Sequence, residues 1–224
     1  METYALLIGS TLAAGTVLAL AALGLLVNER AGVVNLGAEG MMLCAALAGF
    51  AATHATGQDS IGFVAGMAAG AILAWLAGLL IIYLNTNAYA TGLALSLFGA
   101  GISAFAGTGY VQEKLPERLQ FAVPYLSDIP FVGTALFRQH PLVYGAMFLA
   151  LALVLFLYKT KAGLVLRAVG ESPASSHALG YNVRRIRLTS MVVGGSLCGL
   201  AGAYLAVVYT PLWVQGMVAG KGWI

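Results

Sequence analysis

The chain has 224 residues, of which 60% are hydrophobic and 8% are charged, and its formal net charge is +3. A typical soluble domain carries roughly 25% charged residues, so this composition excludes a water-soluble globular fold and favours a polytopic membrane protein. The net charge is too small to indicate a nucleic-acid partner, and the sequence has no run of basic residues interleaved with aromatic ones.

Apolar windows indicate where the chain crosses the membrane. A transmembrane helix needs about 20 mostly apolar residues, and windows free of Asp, Glu, Lys and Arg predict six such helices. The cysteines, Cys44 and Cys198, lie inside apolar windows as small hydrophobic residues, so no disulfide is predicted. The sequence therefore predicts an all-α membrane domain over residues 1–224. The predicted spans are 3–27, 40–58, two within 60–112, 139–158 and 188–210.

The two longer polar loops differ in charge. Residues 159–187 contain six Lys or Arg against the single anion Glu171, whereas residues 111–140 contain three cations and three anions. The positive-inside rule places the first of these loops in the cytoplasm and the second outside it. Counting spans backwards puts Asn85 to Asn87 and residues 29–39 on the cytoplasmic side and the N-terminus outside. As an alternative to a cytoplasmic loop, residues 29–39 dip into the membrane.

The cytoplasmic loop contains a predicted short helix. Ser172 followed by Pro173 is a helix-start pattern, because Ser caps free N–H groups and Pro at the first position loses no bond. Gly180 supplies a left-handed stop about two turns later, and Glu171 sits at the positive end. The helix either lies against its own membrane domain or docks on a soluble partner. The candidate docking residues are Glu171, Ser172, Pro173, Ala174, His177 and Gly180.

Polar residues between the apolar windows are candidates for a solute pathway. Asn35 and Glu39 either contact a polar solute, cap the helix that begins near Met41, or belong to a solvated surface loop. Asn85 and Asn87 either line the pathway or form a tight polar turn.

Two kinds of ligand site are not predicted. The three histidines lie near different span ends without the spacing of metal ligands. Residues 216–221 differ from a phosphate-binding loop, which has four residues between its glycines and Ser or Thr after the lysine. Here three residues intervene and Gly222 follows, so no ATP site and no bound cofactor are expected in this chain.

Three segments resemble a known family. Residues 28–43 (NERAGVVNLGAEGMML), 128–144 (DIPFVGTALFRQHPLVY) and 163–203, which include GESPASSHALGYNVRR, resemble ABC importer permeases of the branched-chain amino acid, simple sugar and nucleoside class. Among these the sequence is most similar to the nucleoside and simple-sugar members. The resemblance covers nearly the whole chain.

The resemblance implies a transport subunit in a bacterial cytoplasmic membrane. Its implied partners are ABC ATPase subunits that bind ATP and Mg, a second permease subunit and an extracytoplasmic solute-binding protein. It also implies that residues 171–180 are the coupling helix that contacts the ATPase. Family members usually continue with further spans after residues 220–224, so we expect this chain to lack C-terminal spans. The alternative function is a self-sufficient secondary transporter or channel, in which Glu29, Arg30 and Glu39 couple protons or ions.

Overall fold

A computed structural model describes residues 2–111, 113–116, 121–122 and 138–223. Most of the predicted loop 111–140, and with it most of the 128–144 segment, lies outside the described residues. Short π-helices at Leu79–Tyr83 and Leu205–Tyr209 extend two of the helices, and a 3₁₀ turn covers Gly107–Tyr110. Strand β1 (Phe121–Ala122) pairs antiparallel with β2 (Arg138–Gln139). The helices are α1 (Glu2–Arg30), α2 (Ala38–Thr56), α3 (Asp59–Gly78), α4 (Ala88–Ala106), α5 (Pro141–Lys159), α6 (Lys161–Glu171), α7 (Pro173–Ala178) and α8 (Val183–Tyr204).

The prediction of an all-α polytopic membrane protein is confirmed. Within the described residues, five helices are long and apolar enough to cross a membrane, one fewer than the six spans predicted. The remaining predicted span is α2, which contains Glu39 and His54 and is largely buried by its neighbours. Because surrounding helices cover α2, it does not need a continuous lipid-compatible surface. The five helices cover Leu7–Arg30, Asp59–Tyr83, Ala88–Tyr110, Pro141–Lys159 and Val183–Tyr209.

Helices α2, α3 and α8 form the centre of the bundle, and glycines allow their backbones to touch. A Cβ added at Gly70 of α3 would meet the Gly195 carbonyl oxygen and lie 2.8 Å from the Gly199 Cα of α8. This is the close contact that small residues permit between membrane helices. The outer helices present apolar side chains outward: Phe105 of α4 is 84% exposed and Phe148 of α5 is 72% exposed. Both fit a lipid-facing surface.

The segments predicted to share one side of the membrane meet at one end of the bundle. Residues 32–34, 81–88 and 173–187 together line one cavity there. We call this the α7 end. At the other end, the ring of His54 lies 5.8 Å from the ring of Tyr110, and His54 Nε2 lies 3.8 Å from Glu113 Oε2. The segments thus lie together at one end of the bundle, and their assignment to a side of the membrane stays a prediction.

Candidate functional site

Helix α6 leads to α7 and is held against the bundle. Thr160 caps it by accepting a hydrogen bond from the Gly163 N–H at 3.0 Å. Near its other end, Gly170 is so close to the carbonyl oxygen of Arg30 that any Cβ there would collide. Gly32 lies against the same glycine. These contacts connect α6 to the segment that joins α1 and α2.

Helix α7 begins and ends where the sequence predicts. Pro173 is its first residue, and Gly180 follows with a φ of 87°. The predicted role of the Ser172 side chain is wrong, because its hydroxyl donates to Ser175 Oγ at 2.7 Å and accepts no backbone N–H.

Most of α7 is exposed. Ser176 is buried, whereas the Leu179 side chain just beyond the helix is 77% exposed. Glu171, Ala174 and His177 are exposed as well. The membrane domain therefore covers little of α7, since Ser176 is the buried residue of this helix. Of the two interpretations of this helix, the structure favours the docking surface.

A cavity of about 870 Å³ separates α7 from the body of the bundle. It brings together residues that the sequence analysis had assigned to different roles. Asn85 comes from the turn between α3 and α4, whereas the remaining predicted residues come from the α7 segment. Tyr181, Asn182, Arg184 and Arg187 also line the cavity. The sequence analysis had counted the arginines only among the positive charges of residues 159–187. The predicted residues lining it are Asn85, Pro173, Ala174, His177 and Gly180.

The two asparagines before α4 have different roles. Asn87 caps α4, since its Oδ1 accepts from the N–H groups of Tyr89 at 2.9 Å and Ala90 at 3.2 Å. Asn85 is exposed and has a φ of 53°, a left-handed conformation that asparagine tolerates. The tight-turn interpretation therefore describes both residues, and Asn85 in addition faces the cavity.

The segment between α1 and α2 extends into the bundle. Ser96 of α4 donates to the Leu36 carbonyl at 2.8 Å, and a Cβ at Gly92 would meet Leu36. Ser96 lies eight residues into α4, about 12 Å along the helix axis at 1.5 Å per residue. Asn35 supports the turn, because its Oδ1 accepts from the Gly37 N–H at 3.0 Å. These contacts favour the interpretation in which residues 29–39 dip into the membrane.

Glu39 is held by the C-terminal part of the described chain. Its Oε1 accepts from the Gly220 N–H at 2.9 Å and its Oε2 from the Gly222 N–H at 2.7 Å. The side chain is 9% exposed. Gly220 has a φ of 82°, the left-handed conformation that turns successive amides toward one acceptor. The sequence had shown the two glycines but not their acceptor, since the partners are about 180 residues apart.

At the other end of the bundle, His140 caps α5, and its Nδ1 accepts from the Leu142 N–H at 3.2 Å. Burial lowers the pKa of His140, and the nearby charge of Asp59 opposes this shift. The neutral imidazole is the form that can accept the capping hydrogen bond. Among the described residues, no three His, Cys, Asp or Glu side chains lie close enough to hold a metal ion.

The bundle of apolar helices defines a polytopic membrane protein, and the short, mostly exposed helix α7 lies at one end of it. Residues 7–224 match the family described as the branched-chain amino acid transport system permease component, and the chain belongs to this family. The suspected permease class is thereby confirmed.

Curated relatives have both sugar and nucleoside names. The chain is 42% identical to a putative glucose ABC transporter permease protein of Haloferax volcanii, over 100% of this chain and 69% of the relative. It is 30% identical to a guanosine ABC transporter permease protein of Bacillus subtilis and 29% identical to a nucleoside ABC transporter permease protein of Lactococcus lactis. Both of these alignments cover 100% of this chain and 74% of the relative. No solved structure matches the chain.

Proposed function

We propose that this chain is the membrane-spanning permease subunit of an ATP-driven importer that carries nucleosides or simple sugars across the cytoplasmic membrane. The single observation that carries the proposal is the exposed helix α7 at the end of a bundle that belongs to a permease family. The names of the similar proteins support the two substrate classes.

The permease works with partners that supply energy and selectivity. ABC ATPase subunits bind ATP and Mg and contact α7 on the cytoplasmic side, where Leu179 provides an apolar anchor. A second permease subunit completes the pathway, and an extracytoplasmic solute-binding protein delivers the solute. In this arrangement the N-terminus is extracytoplasmic. The coupling residues are Glu171, Ser172, Pro173, Ala174, His177 and Gly180.

Contacts inside the chain provide a route from α7 to the pathway. When the ATPases close, α7 moves and carries α6 with it, because a six-residue helix cannot move independently of its neighbours. Gly170 of α6 presses on the backbone of Arg30, and Arg187 Nε of α8 donates to the Ala31 carbonyl at 3.1 Å. Residues 31–37 lead directly into α2 and Glu39. The ATPase thereby biases the bundle between inward-open and outward-open states through its different contacts with each.

The pathway candidates are Asn35, Glu39, Asn85 and Asn87. Asn85 faces the cavity directly. The other three support the proposed pathway by shaping its wall, since Asn35 and Asn87 hold turns and Glu39 holds residues 220–222.

The test is Ala178→Pro, compared with Ala178→Ser as the matched control, in proteoliposomes that contain the partner subunits. Proline at this position disrupts the last turn of α7 and leaves the spans intact. We expect insertion and ATP hydrolysis to persist while ATP-dependent uptake falls at least tenfold in the proline variant and stays near normal in the serine variant. Normal uptake in Ala178→Pro would refute the coupling role of α7. Uptake without ATP or partners would instead support the secondary-transporter alternative.

A further inference from the structure

The cavity behind α7 has the chemistry of an anion site. Its lining includes Arg184, Arg187 and His177, and none of the described residues that line it is Asp or Glu. Within the described part of the chain, neither arginine forms a salt bridge. The cavity therefore holds positive charge without a fixed counterion from its own wall.

The two arginines are placed to act on one ligand. They are three residues apart on α8, so their Cβ atoms lie about 5 to 6 Å from each other on one helix face. Arg187 is fixed by its hydrogen bond to the Ala31 carbonyl, and the Arg184 guanidinium carbon lies 5.9 Å from the ring centre of Tyr83. Paired guanidinium groups match the oxygens of a phosphate, which arginine binds in a bidentate manner.

The rest of the lining suits a polar organic group. Asn85, Asn182 and Tyr181 provide donors and acceptors, while Ile81 and Val34 provide apolar surface. A volume of about 870 Å³ is within the range of roughly 300 to 1,000 Å³ that small-molecule sites have. The cavity is thus larger than an inorganic ion requires.

We infer that this cavity binds a phosphorylated small molecule, a phosphate monoester of a nucleoside or sugar, between α7 and the body of the bundle. The phosphate contacts Arg184 and Arg187, and the organic part contacts the amides and His177. This inference deepens the proposed function, on which its regulatory part rests. A ligand that joins α7 to α8 holds α7 in place and slows uptake. A kinase reaction on the imported nucleoside or sugar would produce this ligand, and the accumulating product would then limit import.

Binding is measured first, on the purified full chain in nanodiscs made of zwitterionic lipid, by isothermal titration calorimetry. The probes are a nucleoside 5′-monophosphate, a hexose 6-phosphate, the uncharged nucleoside and inorganic phosphate. We expect at least one monoester to bind, and Arg184→Gln to weaken that binding at least tenfold. The matched control is Arg185→Gln, since Arg185 is exposed on the same helix but does not line the cavity. We expect that variant to bind within twofold of the unmodified protein.

Several results would overturn the inference. The first is that neither monoester binds. The second is that Arg185→Gln weakens ester binding as much as Arg184→Gln does. The third is that inorganic phosphate binds with the same affinity as both esters. Loss of ester binding when anionic lipid replaces the zwitterionic lipid would assign the arginines to lipid headgroups and also contradict it. None of these measurements requires transport, so they remain informative if the proposed function fails.

The regulatory part is tested in proteoliposomes with the partner subunits and the monoester enclosed on the α7 side. For each variant, ATP-dependent uptake with enclosed ester is divided by uptake without it. We expect this ratio to fall well below one for the unmodified protein and for Arg185→Gln, and to return toward one for Arg184→Gln. A ratio of one for the unmodified protein would refute the regulatory role while leaving both the binding site and the importer function standing.

Discussion

The hydrogen bonds of Glu39 to residues 220 and 222 allow a quantitative test. Glu39→Gln keeps the size of the side chain but replaces one acceptor oxygen with an NH₂ group that faces a backbone N–H. A hydrogen bond to a charged acceptor contributes about 1.5 to 3 kcal/mol. The substitution removes one such bond and weakens the other by removing the charge. We therefore expect residues 220–222 to open more easily by about 2 to 3 kcal/mol.

Hydrogen exchange measured by mass spectrometry reports this opening directly. Since 1.4 kcal/mol corresponds to a factor of ten, exchange at the amides of residues 220 and 222 should be about 30 to 140 times faster in Glu39→Gln. Glu29→Gln is the matched control, because Glu29 is exposed. The same Glu39 variant should also transport less solute in the reconstituted importer. Unchanged exchange at residues 220–222 would show that the carboxylate does not hold this segment, and unchanged uptake would remove Glu39 from the pathway.

Three further predictions concern stability. Gly70→Ala should lower the stability by about 1 to 3 kcal/mol through overpacking against α8. Gly101 has open space around it, so Gly101→Ala should be neutral or slightly stabilising. A thermal shift assay in detergent compares the two variants. Asn87→Ala should cost about 1 kcal/mol through loss of the α4 cap, and Asn87→Asp should restore most of it; equal stability of the two variants would contradict the cap. Burial lowers the pKa of His140, so the folded state favours the neutral imidazole. This contribution to stability is fully present above the ordinary histidine pKa of about 6.5 and is lost as pH falls below it. Denaturation midpoints between pH 7.5 and 5 should therefore fall, and fall less in His140→Asn.

Local patterns in the sequence predicted much of this fold. The charge-free windows located the helices, and the Ser172-Pro173 pair with Gly180 located both ends of α7. These features depend on neighbouring residues, so a single sequence contains them. The central position of α2 was less visible, because burial by other helices removes the requirement for a uniformly apolar surface.

The candidate site was predicted only in part. Asn85 and His177 were named for separate roles, and their shared cavity depends on how α3, α7 and α8 pack at the α7 end. For Glu39 the sequence left a solute contact, a helix cap and a surface loop open, and its amide partners lie at residues 220 and 222. Neither periodicity nor residue spacing encodes contacts over such separations. They follow from the tertiary fold.

The backbone contact between α3 and α8 limits how the protein can move. At Gly70 and Gly199 the two helices touch with almost no side chain between them, so a rotation or slide that brought a residue with a Cβ to this contact would force the backbones apart. Side-chain repacking, which lets other helix pairs slip by small steps, is therefore blocked along this line. The two helices should travel as a rigid pair, and shear between states should occur around the outer helices α4 and α5.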